Sequence, residues 1–373
     1  VTSALTILAD DLTGACDTGS LFAGRGPVPL AIWPRPARQG DVCVIDTESR
    51  ALDGLRAAER VRAAAAGAPA KRVFKKIDST LRGRIGAETE AVMTAVRLST
   101  ALVCPAFPAQ GRVVVDHVLT VGGTPVSATA VGRDPEFPAI PAPTRLGFPD
   151  VEELLRPQFE RPLTWLPLEI VRSGAQRLRE GLARLTGTII LAEAETDGDL
   201  DGLVAAALSG EPGPLLVGSA GLARPLARQM GRLAERVLLP RARHWLIVAG
   251  SRHPVTRRQV AFARAAGMTV VATPDEDQPG AVQRAAAEAR RIIDDANIDL
   301  VAIAGGQTAV AVFEALRTER VDLVGAPGAG LALGYVCASG RPRLAVLTKA
   351  GGFGSDGLFV TLAEEARGKE STR

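Results

Sequence analysis

Leu5-Thr6-Ile7-Leu8-Ala9-Asp10-Asp11-Leu12-Thr13-Gly14-Ala15-Cys16-Asp17 begins as an apolar run of strand length and changes at Asp10-Asp11 into a segment that reads as a helix start. A strand that hands over directly to a helix is the opening of a parallel α/β unit. Two adjacent carboxylates at that handover are costly for folding alone. One of them can cap the helix. The other is left without a structural task, and mutual repulsion would raise the pKa of one member, giving a base near neutral pH.

Outward from this stretch the same alternation continues. Strands are expected at Leu5 to Ala9, Val42 to Ile45, Val73 to Ile77, Ala101 to Cys104, Thr188 to Leu191 and Leu215 to Val217, with helices at Asp53 to Ala66 and Gly86 to Arg97. A Pro-rich stretch from Gly132 to Pro167, with Pro135, Pro138, Pro141, Pro143, Pro149, Pro157 and Pro162 inside it, cannot hold a regular helix or a central strand. It reads as an excursion of loops and short edge strands.

The main boundary falls between Ala223 and His244, where a basic segment ends in Leu239-Pro240-Arg241-Ala242-Arg243. A second alternation then begins, with strands at Trp245 to Ala249, Thr269 to Ala272, Leu300 to Ala304, Leu323 to Gly325, Gly330 to Cys337 and Leu344 to Thr348. Helices fall at Pro254 to Ala266 and Ala281 to Ala296. The expectation is two α/β domains, residues 1–232 and 244–373, each a largely parallel sheet flanked by helices. A chain of 373 residues is long enough for each to bury its own core.

Composition bounds the function. Hydrophobic residues at 46% and charged residues at 23% describe a globular chain, and a formal net charge of +3 with scattered Lys and Arg gives no footprint for nucleic acid. Cys16, Cys43, Cys104 and Cys337 are far apart, with neither C-x-x-C pairing nor a His at metal spacing, and read as reduced thiols. No apolar stretch is long enough to span a bilayer and the start lacks a signal-peptide layout, so a cytoplasmic protein without membrane contact is expected.

In a parallel sheet, ligands collect at the carboxyl ends of the strands. After the first strand come Asp10, Asp11 and Thr13; after the third comes Lys75-Lys76-Ile77-Asp78-Ser79-Thr80-Leu81-Arg82-Gly83. Lys76, Asp78, Ser79 and Arg82 suit a small hydroxylated carboxylate, because a guanidinium grips a carboxylate through two parallel hydrogen bonds. The plainer reading is an ion-pair network with a hydroxyl helix cap. In the second half, Ala249-Gly250-Ser251, Gly305-Gly306-Gln307-Thr308 and Gly351-Gly352-Phe353-Gly354 each end a strand. Glycine turns there let backbone N–H groups approach phosphate oxygens.

Common fingerprints are absent. There is no G-x-x-x-x-G-K-[ST] loop, the glycines at 328, 330 and 334 miss the dinucleotide spacing, and neither Ser219 nor Ser355 has the glycine two residues before it that a hydrolase elbow needs. His117, His244 and His253 sit singly and read as structural.

At these residues the chain resembles the four-carbon acid sugar kinase family. The matching motifs are A-D-D-L-T-G-A-C-D-T-G from Ala9, K-K-I-D-S-T-L-R-G from Lys75, P-A-F-P-A-Q-G-R from Pro105 and R-D-P from Arg133. A-G-S from Ala249, G-G-Q-T from Gly305 and G-G-F-G from Gly351 follow in the family's order. The resemblance implies an ATP-dependent kinase acting on the terminal hydroxyl of threonate, erythronate or a 3-oxo-tetronate. Residues 1–232 would bind the acid sugar and 244–373 the nucleotide, with the active site in the cleft between them.

On that reading Asp11 is the base or hydroxyl-orienting residue, with Asp10 second. Lys76, Asp78, Ser79 and Arg82 hold the sugar acid. Ser251, Gly305, Gly306, Gln307, Thr308, Gly351, Gly352 and Gly354 cradle ATP, whose phosphates Mg²⁺ bridges; no metal ligand is assigned. The expected partners are the sugar acid and ATP, with a homodimer allowed. Gln307 stands where the family commonly has an acidic residue, and Gly352 where it commonly has Asn. Two other readings stay open at this point: a non-catalytic sugar-acid sensor, and a small-acid dehydrogenase using NAD.

Overall fold

The computed structural model describes residues 4–368, apart from 39, 69–71, 141–143, 145–146, 211, 275 and 277. Pro141 and Pro143 of the Pro-rich stretch lie outside the described residues. The chain forms two compact units, one of residues 1–18 and 36–233, the other of 19–35 and 234–373.

Up to the middle of the chain the elements are β1 (Leu5–Ala9), α1 (Leu12–Ser20), β2 (Val28–Ile32), β3 (Val42–Asp46), α2 (Gly54–Ala66), β4 (Val73–Lys76), α3 (Ile85–Val96), β5 (Ala101–Cys104), β6 (Arg112–Val115), β7 (Val118–Val121) and β8 (Thr124–Pro125). Next come α4 (Val151–Leu155), β9 (Leu163–Leu166), α5 (Leu168–Val171), α6 (Ala175–Arg184), β10 (Ile189–Ala192), α7 (Asp197–Leu208), β11 (Leu215–Gly218) and α8 (Ala220–Gln229). The remainder is β12 (Trp245–Ala249), α9 (Pro254–Ala265), β13 (Thr269–Ala272), α10 (Ala281–Asp295), β14 (Leu300–Ala304), α11 (Gly306–Ala315), β15 (Arg320–Gly325), β16 (Leu331–Cys337), β17 (Leu344–Lys349) and α12 (Leu358–Arg367).

In the first unit the strands run β3-β1-β4-β11-β5-β10-β9, every neighbouring pair parallel. All residues of β1, β3, β5, β10 and β11 are buried, as expected when both faces of a parallel sheet are covered. The edge strand β9 lies inside the Pro-rich stretch. Between β5 and α4 the chain makes the small antiparallel sheet β6-β7-β8.

The second unit orders its strands β13-β12-β14-β17-β16-β15-β2. The first three pairs are parallel and the last three antiparallel. β2 departs from the expected boundaries, which place residues 19–35 in the first domain. Val28, Pro29 and Leu30 instead pair antiparallel with Leu323, Asp322 and Val321 of β15, a tertiary pairing that no linker signal announces. The buried core of this unit is built from Trp245, Ile247, Leu300, Leu347, Phe359 and Leu362 with their neighbours.

The register fixes where chemistry can sit. In the first unit Ala9 is level with Asp46 on one side and Lys76 on the other, Lys76 with Gly218, and Gly218 with Cys104. In the second, Ala249 is level with Ala272 and Ala304, and Ala304 with Lys349. Each set of strand ends opens onto one edge. Among the described residues no helix is long and apolar enough to cross a membrane.

Candidate functional site

At the carboxyl edge of the first unit, Arg50 organises the carboxylates. Its Nε donates to Asp10 Oδ2 at 2.7 Å and its Nη2 to Asp10 Oδ1 at 3.0 Å and Asp11 Oδ1 at 2.5 Å, while Nη1 lies 4.0 Å from Asp78 Oδ1. The level register of Ala9 and Asp46 explains the meeting, because residues 10–11 and 47–50 then leave adjacent strand ends.

Burial pushes Asp10 upward, but Arg50, Lys75 and Lys76 outweigh it and hold the carboxyl at about 2. The repulsion expected to make a base of this pair therefore does not do so at Asp10, which is the ionised anchor of Arg50. Asp11 has a structural task too: it accepts from Gly14 N at 3.2 Å, which caps α1, and from Thr13 Oγ1 at 2.5 Å.

The carboxylate without such a task is Asp17. Thr13 and Gly14, four and three residues before Asp17, share with it the partly exposed stripe of α1, whereas Leu12, Ala15, Cys16 and Thr18 are buried. No hydrogen-bond donor reaches the Asp17 carboxylate among the described residues. Burial and the nearby Asp11 raise it to about 6, against the pull of Lys76 and Arg112.

On β4 successive side chains point to opposite faces. Lys75 turns into the core and pairs with Glu88 at 2.7 Å, while Lys76 turns to the edge. Lys76 is 5% exposed, yet among the described residues no hydrogen-bond or ion-pair partner reaches its Nζ. Gly14 makes room for it: a Cβ there would run into Lys76 Nζ and come within 2.5 Å of Asp11 Oδ1.

β4 ends at Lys76, so Asp78 lies in the loop beyond it. The two parallel bonds expected from Arg82 to a bound carboxylate are made to Asp78, from Nε at 3.0 Å and Nη2 at 3.1 Å. Thr80 donates to Asp78 through its N–H and Oγ1, and burial is outweighed by Arg82 and Arg50, which hold Asp78 well below the usual carboxylate range. Arg82 Nη1 also meets Asp134 of the R-D-P motif at 3.3 Å. Ser79 Oγ faces Arg112 Nη1 at 2.5 Å.

Arg50, Arg112 and Asp17 are site residues that the motif spacing does not single out. The signal for Arg50 was a third loaded strand end, Asp46-Thr47-Glu48-Ser49-Arg50. In that segment burial raises both Asp46 and Glu48, with the Glu48 and Asp11 charges adding to it at Asp46 and the Asp11 charge adding to it at Glu48.

In the second unit the three glycine turns do come together. A Cβ on Gly250 would collide with Thr308 Oγ1, one on Gly305 would sit 3.3 Å from Ser251 N, and one on Gly351 2.5 Å from Ser251 Oγ. Gly305 and Gly354 have φ of 112° and 84°, which L side chains rarely adopt. Gly305, Gly306, Ser251 and Gly351 line the turns at partial exposure, and Gln307, Gly352 and Gly354 are exposed. Thr308 differs: its buried side chain packs against Gly250 and Gly305, so it shapes the turns. Gly305 starts α11 without a side-chain cap, leaving helix-start N–H groups open to an anion.

Gly14→Ala is expected to leave the fold intact and to raise the KM for the unit's ligand. A ~1 Å displacement of a binding group costs up to about 10²-fold, and the new methyl must displace Lys76 Nζ or Asp11. Steady-state kinetics with a melting curve measure it; an unchanged KM contradicts this placement of Lys76.

Residues 5–226 match the family model described as the sugar-binding N-terminal domain, and residues 274–359 that of the nucleotide-binding C-terminal domain. A D-threonate kinase of Salmonella typhimurium is 32% identical over 94% of this chain and 96% of its own. Among solved structures, a Salmonella typhimurium LT2 protein described as a tRNA synthase superposes with a TM-score of 0.79 over 97% of this chain and 99% of its own. Its 22% identity makes it evidence of fold alone. A Bordetella bronchiseptica protein, solved as a domain-swapped dimer with bound citrate, is 28% identical with a TM-score of 0.51, covering 98% of this chain and 99% of its own.

Proposed function

The chain belongs to the four-carbon acid sugar kinase family, and from that premise we propose that it transfers the γ-phosphoryl group of ATP to the terminal hydroxyl of a tetronate, D-threonate first among them. It is a sugar-acid kinase, a phosphotransferase, and its named relative gives no support to a dehydrogenase or a silent sensor. The observation that carries the substrate reading is Lys76: a nearly buried ammonium without a protein acceptor among the described residues, at a strand edge where Arg50 and Arg82 are already paired with Asp10, Asp11, Asp78 and Asp134.

In this reading Lys76 receives the substrate carboxylate, with Ser79 and Arg112 beside it for hydroxyls. Asp11, its lone pairs largely engaged by Arg50, Thr13 and Gly14, orients the acceptor hydroxyl. Asp17 takes the proton as the oxygen attacks phosphorus and ADP leaves. Asp10, Asp78 and Arg82 set the cations and the loop and do not touch the reacting atoms.

The glycine turns of the second unit, with Ser251 and the start of α11, hold the phosphates. Among the described residues no group of three or more His, Cys, Asp or Glu side chains is placed to hold a metal ion. We therefore assign no carboxylate to Mg²⁺, which would accompany ATP on its phosphate oxygens. A homodimer is a further part of the proposal, favoured by the dimeric Bordetella relative.

An ADP-release assay across D-threonate, D-erythronate, their enantiomers and the 3-oxo forms tests the reading. ADP formation that depends on a tetronate is the expected result. Absence of ADP with every tetronate at saturating ATP and Mg²⁺ overturns it.

A further inference from the structure

The turn after β17 carries more buried polar chemistry than a glycine turn needs. Lys349 is fully buried, and its Nζ donates to Ala350 O at 2.8 Å and Gly351 O at 3.0 Å, with Thr256 Oγ1 at 3.5 Å. Thr256, on α9, donates through Oγ1 to Gly351 O at 2.7 Å. One helical turn on, Gln259 Nε2 donates to both Phe353 O and Ser355 O at 2.9 Å. Thr256 and Gln259 are themselves 1% and 0% exposed.

Four carbonyls between residues 350 and 355 are thus held inward by three buried side chains. No carboxylate pairs with the Lys349 ammonium among the described residues, and Gln259 Oε1 is left buried without a partner. Burying a cation and an amide on these terms is costly. What the arrangement provides is orientation: a peptide whose carbonyl is pinned to the core presents its neighbouring N–H groups to the other side. Gly351 N and Gly352 N have no backbone acceptor among the described residues. Successive free N–H groups with a cation behind them form a concavity for an anion.

We infer that Lys349, Thr256 and Gln259 are positioning residues that hold the 350–355 turn as a nest for the nucleotide's phosphates. The inference rests on the reading of this unit as the ATP-binding one. It extends the site to α9, outside the residues 274–359 matched by the nucleotide-binding model. The specificity is for polyphosphate, not for adenine, since the groups concerned are backbone donors.

The test is equilibrium titration of the full chain with ATP, inorganic tripolyphosphate and adenosine, beside steady-state kinetics. Thr256→Val, which removes one donor at nearly constant volume, and Lys349→Met are each expected to weaken ATP and tripolyphosphate about tenfold or more, the equivalent of ~1.4 kcal/mol. Adenosine binding and the KM for the sugar acid stay within about twofold, and Thr256→Ser restores the wild-type values. If Lys349→Met does not fold, the Thr256 pair decides. Equal weakening of adenosine and tripolyphosphate, or unchanged tripolyphosphate binding, overturns the positioning role while wild-type ATP binding stands. Failure of the wild type to bind ATP or tripolyphosphate overturns the nucleotide reading itself and the inference with it.

Discussion

Arg50→Met is expected to cost about 3–5 kcal/mol of folding stability, the range for removing one partner from a buried ion network, and to abolish turnover. The guanidinium is the shared counter-charge of Asp10 and Asp11 and faces Asp78, and its side chain is 10% exposed. Without it Asp10, 3% exposed, loses the largest charge opposing its burial and keeps Lys75 and Lys76.

The pH dependence follows from the same carboxylates. The folded-state pKa of Asp10 is about 2 and that of Asp78 lies well below its ordinary value of 3.8. Groups depressed on folding contribute stability that is fully present above the unfolded-state pKa and is lost as pH falls through the folded-state one. The wild type should therefore lose stability from about pH 4 toward pH 2, and Arg50→Met should lose less over that interval because it has less of this contribution to lose. Urea unfolding between pH 7 and pH 2 checks both statements. Wild-type stability of Arg50→Met at pH 7 would sink the assignment of Arg50 as organiser.

Much of this was legible in the chain because buried parallel strands read as short apolar runs. β1, β5, β12 and β14 lie where the pattern puts them, to the residue, and so does the partly exposed edge strand β13. The glycine turns were legible for the same reason, since each directly follows such a run. β2 was not, because Val28–Ile32 is flanked and interrupted by Pro27, Pro29 and Pro34, and its partner β15 lies almost three hundred residues on. Arg50 is signalled only by the polar run Asp46-Thr47-Glu48-Ser49-Arg50 that follows the second expected strand, Val42 to Ile45. Thr256 and Gln259 look in sequence like ordinary polar positions of a helix; that their side chains are buried against Gly351 and Phe353 is a product of tertiary packing. Lys75 and Lys76 show the limit from the other side: alternation separates their faces, but not which face holds Glu88 and which the site.

Asp17→Asn and Asp11→Asn should both lower kcat by about 10²–10⁴, the range for a lost acid-base or orienting group, and should differ in pH profile. Asn caps a helix as well as Asp does, so Asp11→Asn keeps the start of α1 while removing the charge. A proton acceptor must be ionised to act, and Asp17, raised to about 6, is half protonated there. Wild-type kcat/KM should therefore fall as pH drops below about 6, and Asp17→Asn should lose that acid limb along with most of its rate. Asp11→Asn should retain the limb, moved to lower pH, because removing the Asp11 charge takes away one of the influences that raise Asp17. ATP affinity should hold within about threefold in both, since the nucleotide reading draws on other residues. An Asp17→Asn enzyme with wild-type kcat and an intact acid limb would return the proton to Asp11, whose bonds to Arg50, Thr13 and Gly14 would then have to yield a lone pair during the reaction.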